Sequence, residues 1–320
     1  MFVTRRSLLA GLGAALVARP GFAAGQEPLN VVATTGMIAD AARVVGGDLV
    51  EVRGLMGPGV DPHSYRQTRT DIVAMTRADL VLWHGLYLEA QMQSFFHDLA
   101  RRRAVVPVAD ALPKSELRAH DDYKDKYDPH VWMSPRLWQQ VVRSVQAALT
   151  DTRPESAATF AANADAHVAE LARLDAYASD ALARIPAERR VLVTAHDAFG
   201  YFGAAYDMEV LGLQGISTES EAGLNRIAEL VDTLVDRDIG AVFVETSVSD
   251  RNMRALIEGA AAQGHMVRIG GELYSDAMGA PGTYEGTYIG MLDHNVTVIA
   301  RALGSDVPAQ GLNGRLAAGS

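Results

Sequence analysis

Short apolar runs alternate with amphipathic stretches along the first part of the chain. Apolar runs that predict strands cover residues 31–35, 50–56, 80–83 and 105–108. Apolar residues at helical spacing predict helices at residues 37–45, 68–77 and 88–101. Strands separated by helices are typical of a mostly parallel sheet.

One long segment, residues 154–185, breaks this alternation. It is rich in Ala, with Leu at intervals, and contains no Gly, and Pro154 stands where a first-turn proline is tolerated. At ~1.5 Å per residue, a helix of this length would extend on the order of 45 Å, comparable to the diameter of a domain. We therefore predict one long, rigid helix that joins two lobes.

The alternation resumes after this segment. Further strands are predicted at residues 191–195, 210–214, 241–245 and 266–269, with helices at 222–237, 252–263 and 288–303. The predicted fold class is α/β, with two lobes of mostly parallel sheet. We place the N-terminal lobe at residues 28–150, the linker helix at 151–187, the C-terminal lobe at 188–305 and a tail at 306–320.

The first residues have the order of an export signal. Arg5 and Arg6 precede an apolar run over residues 8–18 and a small-residue stretch over 21–24. This run is too short to span a bilayer. We predict a cleaved signal peptide over residues 1–24 and a periplasmic location. Residues 4–9 resemble a twin-arginine signal, but ordinary signals also carry paired arginines, so the export route stays open.

Cysteine and charge narrow the setting. The chain has no cysteine, which excludes disulfides, thiolate metal ligands and the lipid-bearing cysteine of an anchored bacterial protein. We expect a monomer that is not membrane-anchored. The formal net charge is -10, and this acidity argues against nucleic acid as a partner.

Candidate chemistry lies in four loops. The tripeptide Asp-Pro-His occurs twice, at residues 61–63 and 128–130, while His196 closes a predicted strand and Asp276 lies in a Gly-rich stretch. Three imidazoles and one carboxylate can form the coordination shell of a divalent transition metal. Loops at strand ends form the usual ligand crevice of such sheets. We therefore predict a metal site in the cleft between the lobes, with the ligands His63, His130, His196 and Asp276.

Each ligand has a simpler interpretation. A histidine after Asp-Pro also stabilises a turn, and Glu272 lies one helical turn before Asp276 and competes with it if that segment is helical. His84 is expected to pack or to support a ligand. The remaining histidines in elements are expected to have surface or structural roles: His97, His167, His265 and His294.

Neighbours of the ligands have predicted supporting roles. We expect three aromatic residues to wall the site: Trp132, Phe199 and Tyr201. Three acids close to the histidines are candidates to accept an imidazole N–H: Asp61, Asp128 and Asp197.

Four stretches carry a family resemblance: residues 59–65, 127–135, 194–202 and 270–279. They resemble the periplasmic metal-binding proteins of bacterial ABC importers for zinc and manganese, the TroA-like or ZnuA-like group (cluster A-I). The similarity runs from about Asn30 to Gly304. It implies a protein that captures a divalent metal ion and delivers it to a membrane permease with a cytoplasmic ATPase. It also implies the same four ligands.

The resemblance bears on the metal. In that family the position of His196 is His or Glu, and the three-histidine version occurs in zinc binders and in members that accept both metals. Imidazole suits zinc, so zinc is favoured. Manganese is second, because residues 217–223 and 282–286 resemble the dual-specificity members. Many zinc-dedicated members carry a His-rich loop, but residues 114–127 offer one histidine, His120, so this stretch is a metal scavenger or an ordinary surface loop.

Two other functions are weighed against transport. A secreted zinc metallohydrolase needs an open coordination position and a general base, and the His-Glu-x-x-His motif is missing from the sequence. We therefore expect no enzyme. A protein that binds a metal chelate such as haem or a siderophore would share the long-helix architecture, but a set of naked-ion ligands argues against it.

Overall fold

The N-terminal lobe is built on a four-stranded parallel sheet. The computed structural model describes residues 27–120, 124–219 and 222–317, so the predicted signal peptide lies outside the described residues. The strands and helices of this lobe are β1 (Leu29–Ala33), α1 (Gly36–Gly46), β2 (Val50–Gly54), α2 (Arg69–Arg77), β3 (Leu80–Trp83), α3 (Gln93–Leu99), β4 (Ala104–Pro107) and α4 (Pro135–Thr152). The strand order is β2-β1-β3-β4.

The long helix α5 (Ala157–Ala183) precedes the C-terminal lobe. The elements of this lobe are β5 (Val191–His196), α6 (Gly200–Tyr206), β6 (Glu209–Gln214), α7 (Leu224–Asp236), β7 (Ala241–Glu245), α8 (Arg251–Ala262), β8 (Arg268–Leu273) and α9 (Tyr288–Ala302). β5 pairs with β6 and β7 with β8, both in parallel, and β5 contacts β7. These parallel sheets confirm the predicted fold class.

Two helices differ from the sequence-based expectation. α5 is 27 residues long, or ~40 Å, and begins after a short 3-10 turn at Pro154–Ser156. α4 was not predicted, although it is 18 residues long. Pro135 occupies its first turn, and the Ser134 hydroxyl accepts a hydrogen bond from the Leu137 N–H at 3.5 Å, as expected of an N-cap.

The hydrophobic core continues from one lobe into the other. A single cluster includes Val31 of β1, Phe160 and Leu171 of α5, Phe202 of α6 and Met291 of α9. α5 packs against α1, α4 and α9. The long helix therefore packs against both lobes along one face, which resists wide hinge motion more strongly than an isolated connector would.

The carboxyl ends of the strands deliver polar residues to the cleft between the lobes. His84 directly follows β3, while His196 and Glu245 are the last residues of β5 and β7. Asp276 follows β8 by three residues. Parallel strands thus bring residues far apart in sequence to one place. Among the described residues, no helix is both long and apolar enough to cross a membrane.

Candidate metal centre

The four predicted ligands lie together in the cleft. One donor atom from each of His63, His130, His196 and Asp276 lies within 4.8 Å of all the others. All four side chains are buried, with His63 the most accessible at 5% exposure and His130 and His196 at 0%. Two come from each lobe, so the group bridges the cleft.

The spacing of the donor atoms fits one small cation. His63 Nε2 lies 3.2 Å from His130 Nε2, while Asp276 Oδ1 lies 3.3 Å from His130 Nε2 and Asp276 Oδ2 lies 3.3 Å from His196 Nε2. Tetrahedral bonds of ~2.1 Å would place donors roughly 3.4 Å apart. Within the described part of the chain, His196 Nε2 and both Asp276 oxygens are buried and accept or donate no well-formed hydrogen bond. Such orphaned atoms around one point suit an ion.

Asp128 fixes the ring of His130. Its Oδ1 accepts hydrogen bonds from the His130 N–H at 2.9 Å and from the ring Nδ1 at 2.8 Å. The Tyr201 hydroxyl donates to the Asp128 carbonyl at 2.9 Å. With Nδ1 bonded to Asp128, the Nε2 atom of His130 points at the cleft, where its lone pair would bind an ion once its proton is displaced.

Glu245 fixes His196 in the same way. Its carboxylate accepts from the His196 N–H at 2.9 Å and from Nδ1 at 2.5 Å, and both side chains are fully buried. Sequence reasoning missed Glu245 and proposed Asp197 instead, whose N–H donates to the Gly215 carbonyl at 3.3 Å. The available signal was an acid at the end of an apolar strand, where a buried carboxylate needs a partner.

The loops of His63 and Asp276 are held through the main chain. Asp61 Oδ1 accepts from the His63 N–H at 2.8 Å, rather than from the imidazole as predicted. The Trp132 indole donates to the Ser275 carbonyl at 2.8 Å, next to Asp276, and its ring lies 5.1 Å from that of His130. Trp132 therefore both walls the site and ties the two lobes together.

The other candidates have supporting or structural places. His84 is fully buried, and its Nε2 bonds to the Pro129 carbonyl at 2.7 Å, next to His130. Glu272 was expected to compete with Asp276 only if this segment were helical. The segment is the strand β8, and Glu272 is exposed there, so it does not compete. The remaining candidates make structural contacts. The rings of Phe199 and His97 lie against those of Phe202 and Trp83, respectively. His265 and His294 form hydrogen bonds to the carbonyls of Ile239 and Glu272, and His167 is buried on α5.

Buried carboxylates make the centre attractive to positive charge. Burial alone would lower the pKa of His130, but Asp128 and Asp276 raise it to about 9. Burial is likewise outweighed at His196, where Glu245 and Asp276 hold the pKa well above its ordinary value. Burial dominates at His63 and lowers its pKa to about 3. Against burial, His196 and His130 hold the pKa of Asp276 well below its usual range.

Two sequence relatives each match most of the chain. The chain is 47% identical over 277 residues to the manganese-binding lipoprotein MntA of Bacillus subtilis (strain 168), covering 87% of this chain and 90% of the relative. It is 46% identical over 281 residues to the zinc-binding protein TroA of Treponema pallidum (strain Nichols), covering 88% and 90%.

Structure and family comparisons agree with these relatives. The solved periplasmic zinc-binding protein TroA from Treponema pallidum superposes with a TM-score of 0.84 at 45% identity, covering 87% of this chain and 99% of TroA. Residues 31–302 match the family model described as ZnuA, zinc-uptake complex component A, periplasmic. The chain belongs to this ZnuA family.

Proposed function

We propose that this protein is the solute-binding component of an ABC importer, which captures a divalent transition metal ion outside the cytoplasm and delivers it to a membrane permease driven by a cytoplasmic ATPase. His63, His130, His196 and Asp276 bind the ion. One observation carries the proposal: four buried donor atoms, two from each lobe, lie within 4.8 Å of one another.

The arrangement favours transport over the two alternatives. Catalytic zinc sites have three protein ligands and an open position for water, whereas four buried protein donors complete the shell here. A haem or siderophore needs a wide pocket, and these donors converge on a single point. Membership of an uptake family supports the same choice.

The cargo is zinc first and manganese second. Three imidazoles and one carboxylate suit zinc, while manganese(II) binds most weakly in the divalent series and prefers oxygen donors. Manganese stays the second candidate because the two relatives are named for different metals: MntA for manganese and TroA for zinc. Availability in the cell decides between them as much as affinity does.

The expected setting is the periplasm. Residues 1–24 would direct export, by the twin-arginine or the ordinary route. MntA is named a lipoprotein, but this sequence has no cysteine that could carry such an anchor. We therefore propose a free, monomeric protein that meets its permease by diffusion.

Metal content tests the proposal. The protein is purified from its own periplasm and examined by native mass spectrometry with elemental analysis, beside an Asp276→Ala variant and a control, His97→Ala, at an exposed histidine. We expect about one zinc or manganese ion per chain in wild type and control, and a large loss in Asp276→Ala. Wild-type protein that retains no stoichiometric metal, even after equilibrium dialysis against zinc and manganese, would refute the proposal.

A further inference from the structure

Asp61 receives hydrogen bonds from both lobes. Its Oδ1 accepts from the His63 N–H at 2.8 Å, and its Oδ2 accepts from the Ser64 hydroxyl at 2.9 Å. These two bonds shape the loop that carries His63. A third comes from the C-terminal lobe, where the Thr218 hydroxyl donates to Oδ2 at 2.7 Å across 157 positions of sequence.

Thr218 lies in a short segment that covers the cleft beside His63. Ile216 and Ser217, which precede it after β6, are buried. Glu219, which follows it, accepts a hydrogen bond from the Gln91 amide of the N-terminal lobe at 2.7 Å. Two consecutive residues of this segment thus bind the opposite lobe, so the segment and the His63 loop are held together.

The same segment narrows the space above His63. Ser217 and Glu219 line a small cavity together with His63, His120 and Pro129. Its volume is about 10 Å³, room for roughly one water molecule. His63 is also the most accessible of the four ligands. The contact between Thr218 and Asp61 ties this segment to the loop that carries His63, so the position of His63 depends on that contact.

We propose that Thr218 is a positioning residue for His63: its hydroxyl holds the Asp61 carboxylate, which fixes the main chain of His63 and slows the release of the ion. This inference rests on the proposed function and extends it to the exit path. A hydrogen bond to a carboxylate is stronger than a neutral one, and Thr218 is partly buried, so its loss should matter.

Zinc dissociation measures the effect. Wild type, Thr218→Val and Thr218→Ser are loaded with zinc alone and mixed rapidly with a chromophoric chelator. Valine keeps the shape of threonine without the donor, whereas serine keeps the donor. We expect about tenfold faster release from Thr218→Val and near wild-type release from Thr218→Ser. The matched control is Thr233→Val on α7, where the hydroxyl bonds only within its helix in the contacts described, to the Glu229 carbonyl.

A double-mutant cycle shows whether Thr218 acts through Asp61. If it does, adding Thr218→Val to Asp61→Asn should accelerate release far less than Thr218→Val does in wild type. Release at the wild-type rate from Thr218→Val, failure of serine to restore slow release, or additive effects in the cycle would each overturn the inference while wild type still binds zinc. Wild-type protein that does not bind zinc would overturn the proposed function, and this inference with it.

Discussion

His196 and His63 reach the same point but are held differently. Glu245, from a neighbouring strand of the same lobe, binds both the main chain and the ring of His196 in a fully buried pair. His63 is held through its main chain by Asp61, which also depends on Thr218 of the other lobe. One side of the site is therefore preorganised within a lobe, whereas the other side depends on how the lobes meet.

The core explains why this difference matters for release. Because one hydrophobic cluster runs through α5 into both lobes, a wide rotation between them would break buried packing. Local movement at the cleft edge breaks only a few polar contacts. We expect the ion to leave on the side of His63, while His130, His196 and Glu245 stay in place.

Removal of a ligand should have the largest effect. His196→Ala deletes a preorganised donor and leaves buried Glu245 without its partner, so we expect zinc affinity to fall by more than about 100-fold, since even supporting residues cost 10–100-fold. His63→Ala should weaken affinity less, because its side is less fixed. Competition titration with a chelator measures both beside His97→Ala. Equal losses of zinc affinity in His196→Ala and His63→Ala would contradict the claim that His196 is the more firmly held of the two.

Removal of the supporting charge should come next. Glu245→Gln keeps an acceptor for His196 Nδ1 but removes the carboxylate, and we expect about a 10–100-fold loss of zinc affinity. Compared with Glu245→Gln, the Asp61→Asn variant should lose less zinc affinity, and its main effect should be faster zinc dissociation. Isothermal titration and stopped-flow release distinguish these outcomes. A Glu245→Gln variant that binds zinc like wild type would contradict the role assigned to Glu245.

The sequence predicted the alternation of elements, the four residues that meet in the cleft and one supporting acid, Asp128, but not Glu245 or Thr218. β3 and β7 match their predicted bounds, because short apolar runs with clear ends are good strand signals. The two Asp-Pro-His loops identified His63 and His130 through repetition. Glu245 and Thr218 were missed because their partners are set by strand adjacency and by the contact between lobes, which one-dimensional patterns do not contain.

A smaller effect is expected from pH, because His130 and His63 differ in whether they carry a proton before the metal binds. The pKa of His130 is raised to about 9, so at pH 7 the ring of His130 is protonated on both nitrogens in the metal-free protein. A metal ion must displace the proton on Nε2. The pKa of His63 is lowered to about 3, so His63 contributes no proton there. Apparent affinity should therefore fall with falling pH, by about tenfold per unit for each displaced proton.

Calorimetry in buffers of different ionisation enthalpy counts the displaced protons. We expect at least about one proton released at pH 7 in wild type. Glu245→Gln should release fewer, because it removes a charge that raises the pKa of His196. Zinc binding without proton release, with an affinity that is constant between pH 6 and 8, would show that His130 is not protonated in the metal-free protein at pH 7, against its raised pKa.

Locating the ion tests the central claim most directly. Crystals of the zinc-loaded protein, measured with X-rays above and below the zinc absorption edge, give the ion's position from its anomalous signal. We expect one peak in the cleft, ~2.0–2.2 Å from the Nε2 atoms of His63, His130 and His196 and from a carboxylate oxygen of Asp276. A strong peak elsewhere, or a cleft without zinc in fully loaded protein, would contradict the assignment of these four residues.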